Sequence, residues 1–156
     1  MRLLRFVTIT ALAVLAGCAT DSPPVLPGAV NAPPPPLAAA GDALLTGTLW
    51  RWTETVTGNN SVKPDVPERY TLEFQPGGMV AVRADCNRGS GSYLLNGDSL
   101  TFGPLAMTRA MCPPGSKDGE FLRGLAAVQG QLFRGDDLVL TLRADAGSMV
   151  FASSRD

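Results

Sequence analysis

The sequence predicts an α+β domain: a mainly antiparallel β-sheet, with a curl toward a barrel as its natural closure, carrying one packed α-helix. Three observations point there. Short runs of alternating apolar and polar residues recur from about Leu44 to the C-terminus, separated by turn residues, and such runs mark half-buried strands. An Asn-Gly pair lies between two apolar runs, which is the strongest short-range hairpin signal. One segment switches to helical spacing, and a helix with a single apolar stripe buries it most simply against the sheet.

The elements follow in chain order. Trp50 and Trp52 share one face of the first strand; they read as core, with an exposed aromatic platform for sugar or peptide as the functional alternative. "RYTLEFQ" alternates Tyr70, Leu72 and Phe74 against Arg69, Thr71 and Glu73. "PGG" at 76–78 turns the chain, and "MVAVRADC" continues with Val80, Val82, Ala84 and Cys86 in phase. Gly89 and Gly91 then read as bend residues before a strand. In "SYLLNGDSLTF" the Asn96-Gly97 pair suits the positive φ angles of a type I′ turn. After Pro113-Pro114-Gly115 breaks the chain, Ser116 is the expected N-cap, with Asp118 and Glu120 in the first turn where the helix dipole favours acids. Phe121, Leu125, Val128 and Leu132 fall at helical spacing, and Gly130 is the expected stop. "LVLTLR" alternates Leu138, Leu140 and Leu142, and "SMVFA" supplies the last strand.

The N-terminus reads as an address. Arg2 and Arg5 precede an eleven-residue apolar run, Phe6–Ala16. That is short of the roughly 20 residues needed to span a bilayer but suits the h-region of a secretory signal. The run ends in "LAGC", which resembles the lipobox of bacterial lipoproteins, in which the signal is cut before a cysteine that then carries lipid. Residues 1–17 are thus assigned as signal peptide and Cys18 as the lipidation site. Their removal takes Arg2 and Arg5 with it and moves the formal charge from −1 to −3. Ala19, rather than aspartate, follows Cys18; by resemblance to Gram-negative sorting this implies the outer membrane, facing the periplasm. Residues 18–43 form a tether with seven of the thirteen prolines between Ala19 and Asp42. A stretch of this composition is expected to form neither helix nor sheet but extended polyproline II, about 3.1 Å per residue. Residues 44–156 form the domain.

Residue chemistry excludes more than it assigns. The chain has no histidine, which removes Ser-His and Cys-His nucleophile pairs and the commonest transition-metal ligand. No metal spacing is present, and no catalytic residue, cofactor or metal site is assigned. The charge shows no basic field of the kind nucleic-acid binding needs. Asp136-Asp137 reads as a solvated hairpin turn. Ser116-Lys117 resembles a catalytic dyad in name alone, because adjacent residues near a helix start diverge. With Cys18 lipidated, Cys86 and Cys112 remain as an even pair in an oxidising compartment. A disulfide between them is the expectation; a free structural thiol and a reactive Cys86 are the alternatives, the last lacking a base to lower its pKa.

Several motifs together resemble the META-domain (HslJ-like) family, over about Thr46 to Ser153. They are Gly47 and Trp50 near the first strand and "YTLEF" before a glycine turn. Next come "CNRGSGSY", with Cys86-Asn87, Gly91 and Tyr93 at the family spacing, and Thr108 and Cys112 in "TRAMC". Glu120, Phe121 and Leu125 on the helix and "LVLTL" complete the set. Met111 directly precedes Cys112, where the family more often has methionine one position earlier, so the strand register there departs from the pattern. The resemblance implies a β-rich domain with a cysteine pair, usually disulfide-bonded. It also implies an envelope role tied to stress or drug tolerance, with no established reaction. The expected function is therefore a non-enzymatic envelope lipoprotein, held to the membrane by its lipid anchor and binding an unidentified envelope component. The alternative is a periplasmic small-molecule or lipid carrier that uses the interior of a curled sheet.

Overall fold

A computed structural model of the protein describes residues 37–154. The signal peptide, Cys18 and most of the proline-rich tether lie outside the described residues. In chain order the elements are α1 (Leu37–Leu45), β1 (Leu49–Thr57), β2 (Asn60–Val62), β3 (Tyr70–Gln75), β4 (Met79–Ala84) and β5 (Asn87–Asn96). They continue with β6 (Ser99–Met107), α2 (Asp118–Ala126), β7 (Val128–Arg134), β8 (Asp137–Leu142) and β9 (Ser148–Ser153). The sheet is antiparallel, and from β3 to β9 each strand pairs with the next; β1 pairs with both β3 and β9. Eight strands therefore close into an up-and-down barrel, and β2 folds back on the far half of β1 as an appendage. The β6–β7 seam is the thinnest, with one register pair, Ser99 opposite Gly130, and elsewhere closure pairs the edges that would otherwise invite aggregation.

The alternating residues point inward as expected. Trp50, Trp52, Tyr70, Leu72, Phe74, Val80, Val82, Ala84, Leu138, Leu140 and Leu142 are all buried. Their aromatic rings sort into groups along the barrel. Trp52 and Tyr70 pack with Phe121 of α2, at centroid separations of 5.2 Å (Trp52–Phe121) and 5.7 Å (Tyr70–Phe121). Four residues farther along β3, Phe74 packs with Tyr93 at 4.9 Å and with Phe102 at 6.0 Å. The chain of α1 joins the core near that second group. Leu45 is fully buried, its carbonyl accepts from the Trp50 indole at 2.9 Å, and Thr46 bridges Phe74. The Tyr93 hydroxyl donates to Asp42; burial first, then that carboxylate, push the phenol pKa up.

Five sequence expectations are corrected. The tether composition was expected to form no helix up to Asp42, yet α1 begins at Leu37: "LAAAGDALL" is rich in strong helix formers, and burial of Leu45 holds its end. α2 stops at Ala126, so Val128 and Leu132 lie on β7, Leu132 at 42% exposure, and Gly130 is a strand residue rather than a stop. Pairing of β7 with β8 takes over these positions. β4 ends at Ala84, and Asp85 takes a φ of 58°, so Cys86 sits in the β4–β5 turn instead of continuing the inward phase. Gly89 and Gly91 lie inside β5, where a Cβ on Gly89 would clash with the Ala106 carbonyl. In the β5–β6 hairpin Asn96 pairs with Ser99, so the two-residue loop is Gly97-Asp98 and positive φ falls on Gly97 alone. That fits glycine at the first loop position, as in a type II′ turn.

Candidate functional site

Asn87 organises the end of the barrel where the two cysteines meet. It is the first residue of β5, faces inward and is buried. Its Nδ2 donates to the Ala110 carbonyl at 3.2 Å and lies 3.4 Å from both Cys112 Sγ and an Asp118 carboxylate oxygen. Its Oδ1 accepts from the Ala110 N–H at 2.8 Å and the Thr108 hydroxyl at 3.1 Å. Thr108 Oγ1 in turn accepts from the Arg88 N–H at 3.0 Å. One amide side chain thus satisfies most of its donors and acceptors within the segment joining β6 to α2. That segment makes no strand, and Met111 stands 99% exposed. The methionine's unusual position therefore disturbs no ladder.

The Cys86–Cys112 disulfide fastens the same segment, with an S–S distance of 2.01 Å and Cα atoms 5.5 Å apart. Beyond it, Ser116 Oγ accepts from the Asp118 N–H at 3.3 Å. The N-cap is Lys117, without a side-chain cap bond, rather than the expected Ser116, which lies one residue before it. Tyr70 OH accepts from the Lys117 N–H at 2.8 Å. Ser116 Oγ and the Lys117 backbone N–H thereby help hold the helix start, and no bond joins the two side chains. Asp85, 2% exposed, pairs with Arg69, and its N–H donates to the Arg69 carbonyl at 2.7 Å. Asp65, Arg69, Tyr70, Asp85, Pro114 and Ser116 line a small hollow of about 140 Å³ beside this network.

The network and the disulfide together tie the segment before α2 to the end of the barrel. The Cys86 and Cys112 sulfurs are joined, and the Asp85 and Asp118 carboxylates are engaged by Arg69, Asn87 and Ser116. Asp136 and Asp137 sit apart at the β7–β8 turn, as expected for a solvated hairpin. Asn87 is the residue whose role the sequence did not reveal; its spacing to Thr108 was visible as a motif, but the bond between them was not. Asn87→Ala should destabilise the domain by about 1–2 kcal/mol: the Ala110 backbone and the Thr108 hydroxyl, both at exposed positions, lose hydrogen bonds worth about 1 kcal/mol each, which water replaces in part. Urea unfolding measures this. A loss below about 0.5 kcal/mol would show that water replaces the amide without penalty.

Comparison with known proteins follows the same residues. A family model described as META domain matches residues 43–156. Among solved structures, the NMR structure of a protein from Burkholderia xenovorans is similar over 85% of this chain and 99% of its own, at 25% identity and a TM-score of 0.61. A crystal structure of a duf4847 family protein from Bacteroides vulgatus is similar over 74% of this chain and 99% of its own. Its identity of 12% and TM-score of 0.56 speak to the fold alone. No curated protein matches the chain. The matched span contains the barrel, the cysteine pair and the Asn87–Thr108 bond, and on that match the chain belongs to the META-domain family.

Proposed function

We propose that this protein is an envelope lipoprotein, anchored through lipid on Cys18 to the outer membrane and facing the periplasm. Its META barrel acts there as a non-enzymatic binding module that contributes to envelope stress or drug tolerance. The observation that carries surface binding over transport is the filled interior. Trp50, Trp52, Leu72, Phe74, Phe121, Leu140, Met149 and Phe151 are each no more than 1% exposed and occupy the space a carried ligand would need. A depression of about 390 Å³ lies between Phe102–Leu105 of β6 and Leu122 and Ala126 of α2, with Phe102 packed on Phe74 of the core. Binding sites of a packed β-barrel then lie on its loops and outer face.

The anchor is tested with Cys18→Ser, in which the hydroxyl cannot form the thioether. The wild type should incorporate labelled palmitate and partition into detergent, and the serine variant should do neither. Label retained in Cys18→Ser would overturn the anchor. Tolerance restored equally by both forms in a strain lacking the gene would overturn the requirement for membrane attachment.

A further inference from the structure

Strand register brings Arg51 into one row with Arg83 and Arg88, which a single hairpin already pairs. Arg51 of β1 is opposite Thr71 of β3, Thr71 is opposite Arg83 of β4, and Arg83 is opposite Arg88 of β5. All four alternate with buried inward residues, so they form one row across the outer face of the barrel. Directly opposed like charges on neighbouring strands destabilise a sheet, yet Arg83 and Arg88 face each other across a hairpin. Arg83 donates to the backbone carbonyls of Asp85 at 3.3 Å and Glu68 at 3.4 Å. Arg88 has no side-chain partner among the described residues, and the Glu68 carboxylate goes to Arg51 at 3.4 Å. Neither Arg83 nor Arg88 has a carboxylate partner among the described residues, in a chain of formal charge −1.

Beside them is a hollow of about 250 Å³, lined by Leu49, Thr71, Glu73, Ala81, Arg83 and Arg88. Thr71 and Ala81 contribute small side chains to this lining. Glu73 lies opposite Ala81, in the next outward row along β3, about 8 Å from Arg83 by strand spacing and rise. The hollow is thus cationic at one end and carries a carboxylate and the exposed Leu49 at the other.

We propose that this hollow binds a small zwitterionic phosphoester, of which phosphoethanolamine is the simplest example. The phosphate sits on Arg83 and Arg88, the ammonium on Glu73, and the carbons between them over Thr71 and Ala81. Paired guanidiniums suit a phosphate through charge-assisted forked hydrogen bonds, and the ligand relieves the repulsion between them. The site is independent of the lipid anchor, so either can fail without the other.

The test titrates the purified ¹⁵N-labelled protein with phosphoethanolamine, glycerol 3-phosphate and sodium chloride at matched ionic strength. Expected are saturable shifts at the Arg83 and Arg88 side chains, with phosphoethanolamine binding several-fold more tightly than glycerol 3-phosphate. Arg88→Gln should weaken binding about tenfold, and Glu73→Gln should abolish the preference for the amine. Arg88→Gln should keep the wild-type spectrum elsewhere and melt no lower than the wild type, which separates lost binding from lost fold. Dihexanoyl phosphatidylethanolamine, added below its micelle concentration, distinguishes the sources. Tighter binding than phosphoethanolamine assigns the site to a lipid headgroup, and weaker binding assigns it to the free ester. Shifts that chloride reproduces, or that persist in an Arg83→Gln/Arg88→Gln protein, would overturn the site.

Discussion

Reducing the Cys86–Cys112 bond should lower the unfolding free energy by about 3.5 kcal/mol, the chain-entropy value for a loop of this size. The bond joins residues 26 apart, and the loop it closes contains the whole β5–β6 hairpin. That hairpin carries its own ladder, so it gains little from the crosslink. The segment from Thr108 to Lys117 has no ladder and depends on the disulfide and on Asn87. Loss should therefore appear first as faster amide exchange at the start of α2, with β5 and β6 exchanging later. Cys86→Ala, Cys112→Ala and the double variant should cost nearly the same, because each removes the same crosslink. For a domain stabilised by about 5–15 kcal/mol, the shift is easily measured by urea unfolding with and without reductant. Equal stability in both conditions would mean that the Asn87 bonds hold the segment unaided. Thiol labelling of the oxidised, unfolded protein should modify neither Cys86 nor Cys112.

Phe121→Ala should destabilise the domain by about 3–5 kcal/mol, the range for a large aromatic removed from a closed core. Phe121 is fully buried and is the residue through which α2 enters the barrel. Its ring meets Trp52 at 5.2 Å, Tyr70 at 5.7 Å and Phe151 at 6.1 Å, so it joins β1, β3 and β9. The space it leaves is bounded by strands of a closed barrel, which limits collapse. Trp52 fluorescence should respond, since its ring loses a direct neighbour. Arg123→Ala, on the exposed face of the same helix, should change stability by no more than about 0.5 kcal/mol. A Phe121→Ala cost near that of Arg123→Ala would show that α2 is not part of the core.

What the sequence determined by itself was local and periodic. The alternation of "YTLEF" and "MVAVRA" assigned inner and outer faces correctly, because successive strand side chains point to opposite faces of a sheet. The Asn-Gly signal located the hairpin, though not which two residues occupy its loop. Counting cysteines paired Cys86 with Cys112 once Cys18 was set aside. Only the tertiary structure decided where α2 ends. Phe121, Leu125, Val128 and Leu132 satisfy a helical stripe as readily as a helix followed by a strand, and pairing with β8 settles the choice for β7. It also decided that the end of a proline-rich stretch folds as α1, because Leu45 is held in a core built by residues far along the chain. Asn87 looked like one polar residue among glycines; its side-chain partners lie 21 to 31 residues away. The arginine row is only partly legible in the order of residues: Arg83 and Arg88 lie five apart across one hairpin, but Arg51 joins them only when β1, β3 and β4 pair in register. Periodicity encodes which way a side chain points, whereas what it meets there depends on which strands pair with its own.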